Sequence, residues 1–195
     1  MPGFKNAHAH GPMCFFRSAS DDLALSDWLF TKILPREEKL KSEDIYYLMK
    51  LACLESLQSG ITSTFEYYFG IPEMMRAQND VGIRGANLIT LTPTIPEPED
   101  CDQRMSKNDL DLLVNYRMGM HSVYTNGRDK FKEASRIIHQ YKIPFYIHCS
   151  ETSDEVNNCK RDYDGLTPVE LLNSYGLFDY GGGVYHGVHL NKKDV

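Results

Sequence analysis

Histidines at alternate positions open this chain, in Asn6-Ala7-His8-Ala9-His10-Gly11. On a strand, alternate residues point the same way, so His8 and His10 can aim two imidazoles at one point. Neutral imidazole is a common ligand for zinc and similar ions. An H-x-H pair alone is weak evidence, because most such pairs lie on surfaces and bind nothing. Here it keeps company. His121 follows Met118-Gly119-Met120, His148 opens His148-Cys149-Ser150-Glu151-Thr152, and His186 lies in Val184-Tyr185-His186-Gly187-Val188-His189-Leu190. Six of the seven histidines fall at or near the ends of expected strands. A strand-end histidine in isolation is usually a hydrogen-bonded structural residue. Several in one chain, with an H-x-x-E, point to a shared site.

The elements that must carry these residues alternate. A first strand is expected around Phe4 to His8, then a segment ending near Pro35. A helix follows with Ser42 as N-cap, Ile45, Leu48, Met49, Ala52 and Cys53 on one face, and Gly60 as its left-handed stop. Ile61 to Tyr68 reads as a strand. Pro72 opens a helix that Gly82 ends, and Ile83 to Thr92 is a third strand. Pro93 to Glu99 is a proline-rich loop. Met105 to Asn115 reads as a helix, Tyr116 to Val123 as a strand, and Asp129 to Tyr141 as a helix. Ile143 to Ser150 is a fifth strand. Thr167-Pro168-Val169-Glu170 is a capping box with proline at the first helical position, starting a helix that ends at Gly176. Gly181-Gly182-Gly183 reads as a turn before a sixth strand, Val184 to Leu190. Such alternation implies a parallel sheet with helices outside, either an open doubly wound sheet or a β/α barrel. No G-x-G-x-x-G follows a strand, which counts against a dinucleotide site. Polar chemistry gathered at the C-terminal ends of strands favours the barrel.

Bulk properties narrow the function. The 195 residues are 42% hydrophobic and 25% charged, with a net charge of −6 and no block of like charge. That composition gives no footprint for nucleic acid or an anionic membrane surface. No apolar run approaches the roughly 20 residues that span a bilayer, and the start lacks a signal-peptide h-region. Five scattered cysteines without C-x-x-C suit a reducing cytoplasm. Cys14, Cys53, Cys101 and Cys159 read as packing or incidental, and the Cys149 side chain should point away from its neighbours'.

The chain resembles the metal-dependent amidohydrolase superfamily, in particular its adenosine-derivative deaminase and triazine chlorohydrolase-like branch. The segments that carry the resemblance are Pro2 to Met13, Ser59-Gly60-Ile61-Thr62-Ser63-Thr64, His121-Ser122-Val123-Tyr124-Thr125, His148 to Thr152 and His186 to Leu190. They run in order along essentially the whole chain. The resemblance implies a (β/α)8 TIM barrel and a single divalent ion, zinc before iron. It implies that His8, His10 and His148 are metal ligands, that Glu151 is the general acid/base and that His186 orients or deprotonates the water. His121 matches a substrate-binding histidine. Glu66 falls where relatives often carry an acid near the site, and reads equally as a ribose acceptor or a strand-end surface charge. His189 reads as structural and His139 as solvated. Trp28 and Phe15-Phe16-Arg17 read as core rather than as walls of a base pocket.

The chemistry agrees. Hydrolytic deamination at neutral pH needs a strong nucleophile, and water on a metal becomes one as its pKa falls toward about 7. A proton must also reach the ring nitrogen, and a carboxyl group beside the metal can carry it if burial raises its pKa. The competing reading of Glu151 is a cap on the next helix.

The pattern also departs from the superfamily. Its barrel has eight strands and a last aspartate ligand after the eighth, whereas only about six βα units are legible here, and Asp194 lies too close to the sixth strand to substitute. Gly187 stands where relatives commonly have cysteine. The expectation is a single domain, residues 1–195, built as a C-terminally truncated partial barrel of low or no activity by itself. An open arc leaves the first and sixth strands with unpaired edges, so self-association through them is expected. The expected substrate is a small purine nucleoside, such as a 5′-substituted adenosine. The alternatives are another aminohydrolase or chlorohydrolase, or a non-catalytic metal-binding or interaction fragment.

Overall fold

A computed structural model describes residues 1–91 and 113–195 of the chain. Six strands, β1 (Phe4–Ala9), β2 (Ile61–Glu66), β3 (Arg84–Leu91), β4 (Val114–Met120), β5 (Phe145–Cys149) and β6 (Gly182–His186), form one sheet in the order β1-β2-β3-β4-β5-β6. The pairings β1–β2, β2–β3, β4–β5 and β5–β6 are parallel. Parallel neighbours in chain order, with helices in the connections, are the pattern of a partial (β/α)8 barrel. The described residues fall into two compact units, one comprising 1–87 with 113–115 and the other 88–91 with 116–195.

In the first unit a short 3-10 helix, Gly11–Phe16, follows β1, and an irregular helical stretch runs from Leu25 to Glu37 with a π segment at Trp28–Ile33. Helix α1 (Ser42–Gln58) buries Ile45, Met49 and Cys53 at helical spacing. Its cap is Lys41, whose N–H donates to the Asp44 carboxylate, so the expected cap Ser42 is instead the first helical residue. Gly60 turns the chain into β2 with φ +80°. Helix α2 (Ile71–Val81) has proline in its first turn and ends at Gly82 in the left-handed conformation, as the sequence predicts. Phe16 packs inward, but Phe15 is 62% exposed and so is not core.

In the second unit, helix α3 (Arg128–Tyr141) buries Phe131, Ala134, Ile137 and Ile138. Helices α4 (Ser153–Asp162) and α5 (Pro168–Ser174) follow β5. The expected helix Met105 to Asn115 fails at its described end, where Val114 and Asn115 belong to β4; residues 105–112, the proline-rich Pro93 to Glu99 and Cys101 lie outside the described residues. The sixth strand also shifts. It starts at Gly182 and stops at His186, leaving Gly187 to Leu190 in a turn. Glycine permits the early start: Gly182 has φ +138°, and a Cβ there would lie 1.8 Å from the Phe145 carbonyl oxygen. The strand ends where His186 and Gly187 adopt φ +71° and +60°.

Candidate active site

The first unit supplies His8, His10 and Glu66. β1 does not keep strict alternation, since its register against β2 slips between Asn6 and Ala9. The two imidazoles nonetheless meet edge to face, 4.8 Å between centroids. His10 Nδ1 is hydrogen-bonded to the Tyr67 carbonyl oxygen. A carbonyl only accepts, so Nδ1 carries the proton and the lone pair sits on Nε2. Glu66 is 1% exposed, which excludes the surface-charge reading. Its Oε2 accepts the Gly11 N–H at 2.7 Å, tying the end of β2 to the residue after His10. Burial pushes the Glu66 carboxyl up, while the bond from Gly11 pulls it down. A cavity of about 340 Å³ opens beside these groups, lined in part by Asn6, His10, Cys14, Arg17, Glu55 and Glu66.

The second unit supplies His121, His148, Glu151 and His186. His121 lies one residue past β4, its Nδ1 within 3.1 Å of Ser122 Oγ and 3.2 Å of Thr125 Oγ1. Its carbonyl accepts both the N–H and the Nδ1–H of His148, at 3.1 and 2.9 Å. His148 therefore has the same tautomer as His10, with its lone pair on Nε2. The His148 ring is 5.1 Å from that of His121 and is stacked 5.3 Å from that of His186. His186 Nε2 stands 3.6 Å from Glu151 Oε2.

Glu151 is not the cap of α4. Thr152 is, its hydroxyl accepting the Glu155 N–H at 3.1 Å. The residue that sequence reasoning overlooked is Glu155. It is 4% exposed, and its Oε2 accepts the Glu151 N–H at 2.9 Å. Burial pushes its carboxyl up against the opposing pull of backbone N–H groups. Thr152-Ser153-Asp154-Glu155 has the T-x-x-E spacing of a capping box, so the signal was present in the sequence. Cys149 is buried at the end of β5, its thiol pushed up to about 12 by desolvation. His189 contributes its backbone, donating its N–H to the Ser150 carbonyl at 2.9 Å. His139 is exposed as expected, but it is partnered, with Nε2 3.0 Å from Asp179 Oδ2.

Imidazoles locked by main-chain acceptors, a carboxylate beside a histidine, and a buried acid at a strand end are ingredients of a metal-assisted hydrolase site. The donor chemistry of His10 and His148, neutral nitrogen with the distal proton held by a carbonyl, fits a borderline divalent ion such as zinc.

Comparison with known proteins follows the same line. A 5-methylthioadenosine/S-adenosylhomocysteine deaminase of Pyrococcus furiosus is 34% identical over 204 residues, covering all of this chain and 48% of that protein. A 5′-deoxyadenosine deaminase of Methanococcus maripaludis is 30% identical, with the same coverage. An adenosine deaminase from Xanthomonas campestris, crystallised with bound zinc, superposes with a TM-score of 0.90 at 26% identity, over all of this chain and 46% of that one. A guanine deaminase from C. acetobutylicum, 18% identical at a TM-score of 0.89, shares the fold. The chain spans about half the length of the curated relatives it matches. The sequence profile of the amidohydrolase family matches residues 1–195 from end to end, so the strand-end histidines stand in a chain that belongs to the amidohydrolase family.

Proposed function

We propose that residues 1–195 form one amidohydrolase-type domain whose site hydrolytically deaminates an aminated purine, a 5′-substituted adenosine in particular. His8, His10 and His148 hold one divalent ion, zinc in preference to iron. Support comes from the strand-end positions of the three residues in a single parallel sheet and from the shared tautomer of His10 and His148. When bound, the ion supplies Lewis-acid activation of water at neutral pH.

The chain's own residues do the rest. Glu151 takes one proton from the attacking water and passes it to the purine ring nitrogen as the remaining hydroxide adds to the amine-bearing carbon. Ammonia then leaves, taking the second proton, and atoms balance as purine amine plus water giving the oxo-purine and ammonia. His186 steers the water from beside Glu151. His121 and Glu66 contact the substrate. The observation that carries this reading is the pairing of Glu151 with His186, 3.6 Å apart, while Thr152 performs the capping that Glu151 could otherwise have done.

β1 and β6 each pair on one side only among the described residues, which supports self-association through those edges as part of the reading. The free thiols of Cys14, Cys53, Cys149 and Cys159 are consistent with a cytoplasmic site of action. Among the described residues no helix is long and apolar enough to cross a membrane.

Ammonia release from adenosine, methylthioadenosine and S-adenosylhomocysteine, with added zinc, tests the proposal. Slow release from the 5′-substituted nucleosides, lost in Glu151→Gln, is expected. Release that ignores Glu151→Gln contradicts the role of Glu151. Chloride release from a chlorotriazine in preference to ammonia from nucleosides would move the chemistry to the chlorohydrolase alternative.

A further inference from the structure

One peptide plane in the second unit is held at both ends. The Ser150 carbonyl accepts the His189 N–H at 2.9 Å. The Glu151 N–H of the same peptide donates to Glu155 Oε2 at 2.9 Å. Next to it, the Cys149 carbonyl accepts the Gly187 N–H at 3.1 Å. The turn that follows β6 is thus laced to the residues that follow β5. That matters because Ser150 sits in the left-handed region, φ +53°, and so sets the direction in which Glu151 leaves the strand. His186, at φ +71°, does the same for the other partner of the pair.

The second capping box of this unit serves as an internal comparison. Glu170 Oε2 accepts the N–H of its own cap, Thr167, at 3.0 Å, which is the usual reciprocal arrangement. Glu155 extends one residue further back, to the N–H of Glu151. The acceptor is a side-chain oxygen, and burial of Glu155 keeps water from replacing it.

We propose that Glu155 is a positioning residue: by gripping the Ser150–Glu151 peptide against the His189 N–H, it fixes the Glu151 carboxylate beside His186. This rests on the reading of Glu151 as the proton carrier. Glu155 touches no reacting atom, and its contribution is the pre-set direction of a group that does.

The experiment compares Glu155→Ala, Glu155→Gln and Glu170→Ala in the zinc-supplemented 195-residue chain. Amide hydrogen exchange followed by NMR reads the Glu151 N–H directly. The expected result is exchange at Glu151 about tenfold faster or more in Glu155→Ala, and within about threefold of the parent in Glu155→Gln, whose side-chain oxygen still accepts. Glu170→Ala, which loses the ordinary box, leaves Glu151 unchanged. In ammonia release, kcat falls by about tenfold or more in Glu155→Ala, with KM and zinc affinity within about twofold, and Glu155→Gln restores it. Unchanged protection of Glu151 in Glu155→Ala overturns the proposal. So does a kcat loss that Glu155→Gln does not restore, or one matched by equal losses in KM and zinc affinity. If Glu155→Ala does not fold, Glu155→Asp, which keeps the charge and shortens the reach, must give the same exchange result. Failure of the deaminase reading is separable, because it shows as ammonia release insensitive to Glu151→Gln whatever the Glu151 amide does.

Discussion

His148 donates its Nδ1–H to the main-chain carbonyl of His121, 2.9 Å away. The bond joins a side chain on β5 to the backbone at the end of β4, so the ring's tautomer depends on strand pairing and not on another side chain. No substitution of the His121 side chain removes that acceptor. His121→Ala should therefore leave zinc affinity within about twofold of the parent while weakening nucleoside binding, since losing the hydrogen-bond partner of a ligating histidine costs roughly tenfold or more. Isothermal titration with zinc and then with methylthioadenosine separates the two effects. A large loss of zinc affinity in His121→Ala would show that its ring, not its carbonyl, supports the metal.

Thr152, not Glu151, caps α4. Thr152→Ala should cost about 1 kcal/mol of stability, and Glu151→Ala less than half of that. Urea unfolding of both variants, with the metal removed, measures the difference. The reverse order would restore Glu151 to a capping role.

Gly182 pairs with Phe145 where β6 runs beside β5. With φ +138° and the Phe145 carbonyl 1.8 Å from any added Cβ, Gly182→Ala combines backbone strain with a clash. The expected loss is about 3 kcal/mol or more, read as a lower urea midpoint. A variant as stable as the parent would mean that the strands separate there without cost.

His139 makes two contacts that each need a proton on the ring, from Nδ1 to the Ser135 carbonyl and from Nε2 to Asp179. The Ser135 bond, and then the Asp179 bond and charge, raise its pKa above the ordinary histidine value. A raised folded-state pKa favours the folded state at low pH. That stabilisation is complete below the unfolded value of 6.5 and fades as pH rises through the folded value. NMR titration of the ring should show the elevation, and Asp179→Asn should reduce it. An unchanged titration in Asp179→Asn would remove Asp179 as a cause.

Much of this was legible in the chain, for identifiable reasons. Gly60 and Gly82 announce left-handed helix ends, and the buried faces of α1 and α3 follow helical spacing. The H-x-H pair and the H-x-x-E mark β1 and β5. Other features were not legible, because they depend on contacts distant in sequence. The start of β6 within the Gly181-Gly182-Gly183 run is set by the nearby Phe145 carbonyl. The backbone N–H that holds the buried Glu66 carboxylate comes from Gly11, far away in sequence. Val114 and Asn115 join β4 against their local helical pattern, since pairing in the sheet outweighs propensity. Glu155 was visible as a capping-box residue, but its grip on Glu151 depends on the turn at Ser150.

The central claim is a single divalent-ion site built from His8, His10 and His148. Its most direct test is elemental analysis of the protein after zinc reconstitution and gel filtration, beside His8→Ala, His10→Ala and His148→Ala, with His139→Ala as the control. The account predicts close to one zinc per chain in the parent and the control, and loss of most of it in each of the other three. Zinc retained by His148→Ala at the parent's level would contradict it.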